Sequence, residues 1–240
     1  MTDTTYSMNF DFTSDAQRTL LEYLQKNEYT LLGYKGASGP NILKVGVPTW
    51  FSVPFGNVFG EVEIDYTPKY KVYVFNKAQI AANTTIMMQS LSDEIGLGNA
   101  LKFQQNGSFV SAGDAPEGSI NLINGRPAGT PDLTVGLAGL VNLPTGVQYL
   151  PFCAFTLTPQ GSITMTPQET IALFAARIDL ASGNVQASAA APGSTFSFSG
   201  SNSNYQLQVA PSTYTITNVP GTTPVKPVSS GEALVPLLVS

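Results

Sequence analysis

A segment in the first half of the chain reads Tyr66-Thr67-Pro68-Lys69-Tyr70-Lys71-Val72-Tyr73-Val74-Phe75, and a later one reads Met165-Thr166-Pro167-Gln168-Glu169-Thr170-Ile171-Ala172-Leu173-Phe174. Each segment contains Thr-Pro, then three residues, and then four apolar residues of which the last is Phe. The segments before them also correspond, because Thr30-Leu31-Leu32-Gly33-Tyr34-Lys35-Gly36 resembles Thr134-Val135-Gly136-Leu137-Ala138-Gly139. A repeat at a spacing of roughly a hundred residues is too long for a solenoid and fits two similar β-rich halves.

This repeat predicts how the chain is divided. We expect an N-terminal half over residues 1–110 and a C-terminal half over residues 133–223. Residues 111–132 are rich in turn-forming residues and are predicted to link the halves. Residues 224–240 are predicted to be a docking tail. The pattern leaves open whether the halves form one sandwich or two.

Alternating and amphipathic segments predict the fold class. Residues 6–13 alternate between apolar and polar side chains, which is typical of a half-buried strand. Ser14-Asp15-Ala16-Gln17 forms a capping box before an apolar stripe, and this predicts a helix over residues 15–26. Short apolar segments between Gly, Pro and Asn turns follow. We therefore predict a mainly β protein: an antiparallel β-sandwich of two Greek-key-like halves with one short N-terminal amphipathic helix.

Charged side chains are scarce. They make up 11% of the residues, give a net charge of -5, and are concentrated in the first half. A nearly uncharged second half is prone to associate or to be covered by a partner, so we expect a homo-oligomer. Without a basic cluster the chain is not expected to bind nucleic acid, which depends on displacing counterions with Lys and Arg.

The residue types that most enzymes need are missing or isolated. The sequence has no histidine, which is the commonest general base and metal ligand. Its single cysteine, Cys153, lies in an apolar context and is interpreted as a buried thiol. We predict no catalytic residue, no metal and no cofactor. The remaining enzymatic alternative is a glycoside hydrolase that uses carboxylates such as Glu61 and Glu63.

Aromatic residues near the first copy of the repeat are candidates for ligand binding. They could form a platform on which a sugar or a lipid headgroup stacks, although aromatic residues in strands usually serve packing. These residues are Trp50, Tyr66, Tyr70 and Tyr73.

Two later segments are candidates for membrane insertion or assembly. Residues 184–200 contain two uncharged arms around a Pro-Gly turn, as in the stem of a β-pore-forming protein or in an ordinary sandwich hairpin. The candidate hairpin residues are Val185, Ala187, Ala189, Phe196 and Phe198. The apolar tail is expected to dock, either on its own chain or as an edge strand on a neighbouring subunit. The candidate tail residues are Leu234, Val235, Leu237 and Leu238.

The order of these features resembles a group of leaderless fungal and bacterial β-rich proteins of unknown function. The resemblance rests on Tyr29-Thr30-Leu31-Leu32-Gly33-Tyr34-Lys35, on the two Thr-Pro segments, on Leu157-Thr158-Pro159 and on Phe196-Ser197-Phe198-Ser199-Gly200. It implies a non-enzymatic β protein. The N-terminal residues lack the basic and apolar regions of a secretion signal, so we expect synthesis in the cytoplasm with leaderless release as the exit.

Two hypotheses of function follow. In the first, the chain is a self-associating protein that binds a surface, a glycan or a membrane, in the manner of a lectin or a cytolysin. In the second, it is a structural subunit of a filament, a shell or a crystalline inclusion.

Overall fold

A computed structural model describes residues 4–239, which form a mainly β fold. In the first half the strands are β1 (Tyr6–Asp11), β2 (Thr30–Ser38), β3 (Val47–Pro48), β4 (Phe51–Pro54), β5 (Glu61–Phe75), β6 (Ser90–Leu91), β7 (Asn99–Phe103) and β8 (Phe109–Asp114). In the second half they are β9 (Ile120–Asn124), β10 (Leu133–Leu143), β11 (Gly146–Pro151), β12 (Phe155–Leu157), β13 (Ser162–Ala176), β14 (Val185–Gln186), β15 (Gly193–Ser197), β16 (Asn204–Val209), β17 (Ile216–Asn218) and β18 (Lys226–Val228). The helices are α1 (Asp15–Lys26) and α2 (Leu234–Leu238), with a 3₁₀ turn at Phe55–Asn57.

The strands form two large sheets. Sheet I has the order β11-β10-β5-β1-β16-β17, with β12 beside β10 and β6 beside β5. Sheet II has the order β4-β2-β13-β9-β7-β8, with β15 beside β13 and β18 beside β15. Both sheets are mixed, because β1 runs parallel to β16 and β7 runs parallel to β9. This corrects the prediction of purely antiparallel sheets: neither pair is joined by a tight hairpin, so the long connections allow parallel pairing.

The two Thr-Pro segments occupy matching places in the two sheets. Each lies inside a 15-residue strand, β5 in sheet I and β13 in sheet II. The register of each strand shifts next to its proline, where β5 pairs with β10 and β13 pairs with β2. Proline has no backbone N–H to donate, so it is tolerated where a bulge interrupts the ladder. The Thr-Pro motif that is repeated in the sequence thus corresponds to a β-bulge in each of the two long strands, β5 and β13.

The correspondence extends to the neighbouring strands. On its other side β5 pairs antiparallel with β1, as β13 does with β9. The strands β1 and β9 each pair with a parallel strand, and β6 and β15 each add to the long strand of their sheet. The strand pairings around β13 therefore match those around β5.

The two halves interleave. The long strand β5 pairs with β10 of the other half, and β13 pairs with β2 of the other half, so each sheet contains strands from both. The residues predicted as a linker, 111–132, contain the end of β8 and all of β9. The two sheets share one hydrophobic core, which includes Ile64 and Val72 of sheet I and Leu122 and Leu173 of sheet II.

The structure confirms the predicted N-terminal helix. It spans Asp15–Lys26, and the Ser14 hydroxyl accepts a hydrogen bond from the Gln17 backbone N–H at its start. Its apolar stripe lies in the core, where Leu20, Leu21 and Leu24 are buried. No helix within residues 4–239 is long and apolar enough to cross a membrane.

The predicted hairpin at residues 184–200 is not formed. The first arm contains β14, which pairs with β3, and the second contains β15, which pairs with β13 and β18. Pairing with strands distant in the sequence has replaced pairing between the two arms. Small, uncharged residues are compatible with pairing between the two arms and with pairing to distant strands. The alternating pattern alone therefore did not determine which strand each arm pairs with.

The tail docks on its own chain, where β18 pairs with β15 and the candidate tail residues form the short helix α2. Helix α2 packs against β2 and β13, and Leu234 and Leu238 join an apolar cluster with Tyr34 and Phe174. The approach is close at Gly36, where a Cβ would lie 2.5 Å from the backbone oxygen of Leu238. Glycine in β2 thus makes room for the tail.

Candidate functional site

The aromatic residues predicted to form a stacking platform lie in the core. Trp50 and Tyr66 have 0% of their surface exposed, their rings form a T-shaped pair with centroids 5.2 Å apart, and Tyr73 is equally buried. Tyr70 is 1% exposed. These rings point inward from β5 and its surroundings, so they offer no face to a ligand in solvent. The structure therefore corrects the prediction of an exposed stacking platform.

A different group of aromatic residues is at the surface. The rings of Tyr23 and Tyr214 stack with their centroids 4.9 Å apart and an interplanar angle of 6°. The Tyr29 ring lies 5.4 Å from that of Tyr214 and 6.2 Å from that of Tyr23. Tyr23 is 40% exposed, and the other two are half-buried. We call these three residues the tyrosine cluster.

Three separate backbone elements hold this cluster. Tyr23 lies on α1, and Tyr29 follows the helix, where its backbone N–H donates to the Leu24 carbonyl at 2.9 Å. Tyr214 lies in the turn between β16 and β17, where its N–H donates to the Ala210 carbonyl at 2.8 Å. Because a helix, a strand entrance and a turn each contribute one ring, the arrangement is fixed by the tertiary fold.

The backbone beside the cluster is strained. Tyr214 has a φ of +56° and Glu28, just before Tyr29, has a φ of +55°. The left-handed region costs a residue with a Cβ roughly 1–2 kcal/mol, and a bulky residue there is uncommon. Strained backbone is enriched at functional sites, which makes this turn a candidate for one.

A surface cavity of about 300 Å³ adjoins the cluster. Tyr29 and Tyr214 form part of its wall, together with the exposed residues Arg177 and Ile178 that follow β13. Thr213 contributes a hydroxyl group beside them. The cavity therefore combines aromatic faces, hydroxyl groups and one guanidinium, which is the mixture of apolar walls and few polar groups common in ligand sites.

The hydroxyl group of Tyr214 stays protonated at neutral pH, because its pKa is raised above the ordinary value. The hydrogen bond with Tyr23 raises the pKa of Tyr214, and partial desolvation adds to this effect. Neutral phenols can donate to and accept from a ligand hydroxyl. The Tyr214 hydroxyl is thus a neutral hydrogen-bonding group on the wall of the cavity that Arg177 also lines.

Sequence reasoning missed this cluster for a physical reason. Tyr23 and Tyr29 are close in the chain, but Tyr214 is brought to them only by the pairing of β1 with β16 and of β16 with β17. A usable signal was Tyr23, since it stands on the polar side of a helix whose core stripe is formed by leucines.

The other predicted site residues are placed as follows. In the candidate hairpin Val185, Ala189, Phe196 and Phe198 are buried and Ala187 is exposed. In the tail Leu234 and Leu238 are buried, while Val235 and Leu237 are partly buried against the same chain. The single cysteine, Cys153, is buried as interpreted from its context, and burial raises its pKa to about 12.

The carboxylates considered for glycoside hydrolysis lie along one strand. Glu61 faces Asp11 and Glu63 faces Asn9 across the pair of β5 and β1. Their side chains share one face of β5 instead of flanking a cleft from two sides, as an acid and a base at a glycosidic bond would. Within residues 4–239 no group of three or more Cys, Asp or Glu side chains is arranged to hold a metal ion.

Comparisons with protein-family models, with curated proteins and with solved structures found no match to this chain.

Proposed function

We propose that this protein is a non-enzymatic glycan-binding protein and that its binding site is the tyrosine cluster with the adjoining cavity. The observation that carries the proposal is the stacked pair of exposed Tyr23 and half-buried Tyr214, the latter on a strained turn beside a cavity of about 300 Å³. Aromatic faces pack against the C–H face of a sugar ring, and their hydroxyl groups bond to its hydroxyls.

The chemistry of the cavity favours a glycan over a lipid. Its rings carry hydroxyl groups, and Arg177 and Thr213 add polar groups to the wall. The rest of the wall is apolar and consists of Ile178, which is 36% exposed, Pro192 and four alanines, Ala175, Ala176, Ala190 and Ala191. A surface that inserts into a bilayer needs a larger apolar face.

A binding experiment with two substitutions tests the proposal. The full chain is titrated with oligosaccharides of glucose, galactose, mannose and N-acetylglucosamine while tyrosine fluorescence or NMR shifts are followed. We expect at least one class to bind, and Tyr214→Ala to weaken it by about tenfold or more, since one stacked ring contributes roughly 1–3 kcal/mol. Tyr149→Ala is the matched control, because Tyr149 is a surface tyrosine on β11 outside the cluster.

Three results would contradict the proposal. They are binding that Tyr214→Ala leaves unchanged, binding of phosphatidylcholine and phosphatidylserine vesicles instead of any sugar, and no binding of either. The vesicle result would favour the membrane form of the hypothesis.

Self-association is the second candidate function, and one observation favours it. Strand β11 is the outer strand of sheet I, and its first three residues, Gly146, Val147 and Gln148, are exposed. Val147 is 65% exposed. An open edge with an apolar side chain can pair with a second copy, as a lectin or a structural subunit would require. We expect Val147→Lys to shift the protein towards the monomer in light scattering behind size exclusion, and a wild-type monomer at high concentration would exclude this candidate.

We also infer that the two sheets face each other as a sandwich across the core they share. The support is that one buried cluster contains residues of both sheets. Greek-key-like connections within each half stay a prediction.

A further inference from the structure

A lysine lies fully buried in the core. Lys35 of β2 has 0% of its surface exposed, and its Nζ lies 3.0 Å from Oε2 of Glu169, which is in the bulge of β13. The same Nζ donates to the backbone carbonyl of Gln168. A buried ammonium is costly even when it is paired, so its presence calls for an explanation.

Aromatic rings enclose this pair. Lys35 Nζ lies 4.5 Å from the centroid of the Tyr66 ring and 5.7 Å from that of Phe152. On the outer side the ring of Tyr6 stacks on Phe198 at 4.7 Å and on Tyr66 at 5.8 Å. The carboxyl group keeps a path to solvent, since the Glu169 side chain is 30% exposed.

The second oxygen of the carboxyl group is held by two phenols. The hydroxyls of Tyr66 and Tyr70 each lie 3.3 Å from Glu169 Oε1, and they lie 2.5 Å from each other. Each hydroxyl has one hydrogen to donate. One phenol donates to Glu169 Oε1, and the other donates either to Oε1 as well or to the hydroxyl oxygen of the first phenol. Burial raises the pKa of Tyr66 and of Tyr70, which keeps both donors protonated.

We propose that Lys35 and Glu169 condense to an intramolecular isopeptide bond, which links β2 covalently to β13. The amine and the carboxyl group are in contact, the amine is buried away from water, and donors are in place at the oxygen that becomes negative. This inference is independent of glycan binding.

The atoms balance with the loss of one water molecule. One proton passes from Lys35 Nζ to Glu169 Oε2 and gives a neutral amine and a neutral acid. The nitrogen lone pair then attacks the carboxyl carbon, and the negative charge that develops on Oε1 is stabilised by the Tyr66 and Tyr70 hydroxyls. Oε2 takes a second proton from the nitrogen and leaves as water, so a C–N bond replaces a C–O bond and no oxidant or reductant is needed.

The environment favours the reacting form of the amine. Burial lowers the pKa of Lys35 by penalising the ammonium, although Glu169 opposes this. Holding the two groups in contact supplies the effective concentration that amide formation lacks in free solution. Both effects result from the fold, so we expect the bond to form only in the folded chain.

Mass spectrometry of the full, denatured chain tests the proposal. We expect the wild type to be lighter than its sequence by one water molecule, and proteolysis to give a branched peptide that joins residues 35 and 169. Lys35→Arg and Glu169→Ala should have their full sequence masses. Lys35→Arg is the sharper control, since it keeps a cation but has no nucleophilic amine. Tyr70→Phe should leave a larger unreacted fraction at equal times after refolding.

Two results would overturn the proposal. One is a wild type with its full sequence mass, both when fresh and after long incubation at neutral and mildly acidic pH. The other is a loss of water that maps to different residues. If Lys35→Arg fails to fold, the wild-type mass and the branched peptide still decide.

Discussion

The two copies of the bulge differ in the side chains they place in the core. In sheet II, Ile171 of the repeated segment faces Lys35, and in sheet I the corresponding residue, Val72, faces Leu137. The third residue after each Thr is Glu169 in one copy and Tyr70 in the other.

This difference shows that the fold itself does not need an ion pair at the bulge. Sheet I forms its register shift, between Gly139 and Leu140, without a lysine in β10, and Leu137 opposite Val72 is fully buried. The corresponding residues Tyr70 and Glu169 approach to 3.3 Å, so the two bulges meet in the core. The buried pair of Lys35 and Glu169 is therefore found in only one of the two copies. Substitutions that make the copies more alike or more different measure what this pair contributes to stability.

The largest effect is expected when one copy loses its carboxylate. Glu169→Ala leaves Lys35 buried without its partner and prevents the proposed amide, so we expect a loss of about 3–5 kcal/mol in the free energy of unfolding. Urea denaturation measures this. Glu63→Ala, on the exposed face of β5, is the control and should change stability by less than about 0.5 kcal/mol. Equal losses in both variants would contradict a special role for the pair.

A second variant makes the bulge of sheet II resemble that of sheet I. Lys35→Met with Glu169→Gln replaces the cation by an apolar chain of similar length and keeps an acceptor for the Tyr66 and Tyr70 hydroxyls. We expect this double variant to be more stable than Glu169→Ala by about 2–3 kcal/mol, because no charge is then left buried.

Double-mutant analysis with both single variants completes this experiment. Additive losses would mean that the side chains do not interact. They would then be two independent polar groups rather than a pair.

The buried hydroxyls of Tyr66 and Tyr70 make the stability of the folded protein depend on pH. Burial raises the folded-state pKa of Tyr66 and Tyr70 above the ordinary value of 10.0. The stability that such groups contribute is fully present below pH 10 and is lost as pH rises through their raised values. Unlinked Lys35 acts in the opposite direction, because burial lowers its pKa and unfolding takes up a proton.

We expect wild-type stability to fall steeply above pH 10. Tyr70→Phe should reduce that slope by up to about 1.4 kcal/mol per pH unit, the effect of one proton. Urea midpoints between pH 9 and pH 11 measure the two slopes. Parallel curves for wild type and variant would show that Tyr70 does not titrate with unfolding.

Much of the fold was readable from the sequence, because local patterns determined it. The apolar stripe and the cap at Ser14 predicted α1, and the two Thr-Pro segments predicted a repeat that the strand pairings contain. The sequence could not show which strands pair across the halves. Because the two copies have similar sequences, the pattern is compatible with pairing inside each half as well as with the observed pairing of β5 with β10 and of β13 with β2.

The candidate site was predicted less well, since burial is a tertiary property. Tyr66 and Tyr214 are the same residue type, yet one lies in the core and the other in an exposed turn. No local feature of the sequence marks Lys35 as a core residue, because lysine side chains are usually at the surface. Its burial follows from β13 and from the rings of Tyr66 and Phe152, which are distant in the sequence.

The smallest expected effect tests whether the backbones of the two bulges are equivalent. Pro68 and Pro167 occupy corresponding places, and each restricts the unfolded chain without interrupting a regular ladder. We expect Pro68→Ala and Pro167→Ala each to lower stability by about 0.4–1 kcal/mol, through the greater freedom of the unfolded state. Equal shifts in the urea midpoint would mean that the copies differ in their side chains alone. A loss several times larger at Pro167 would show that this proline also positions Glu169 against Lys35, and the two bulges would then be unlike in backbone as well as in side chains.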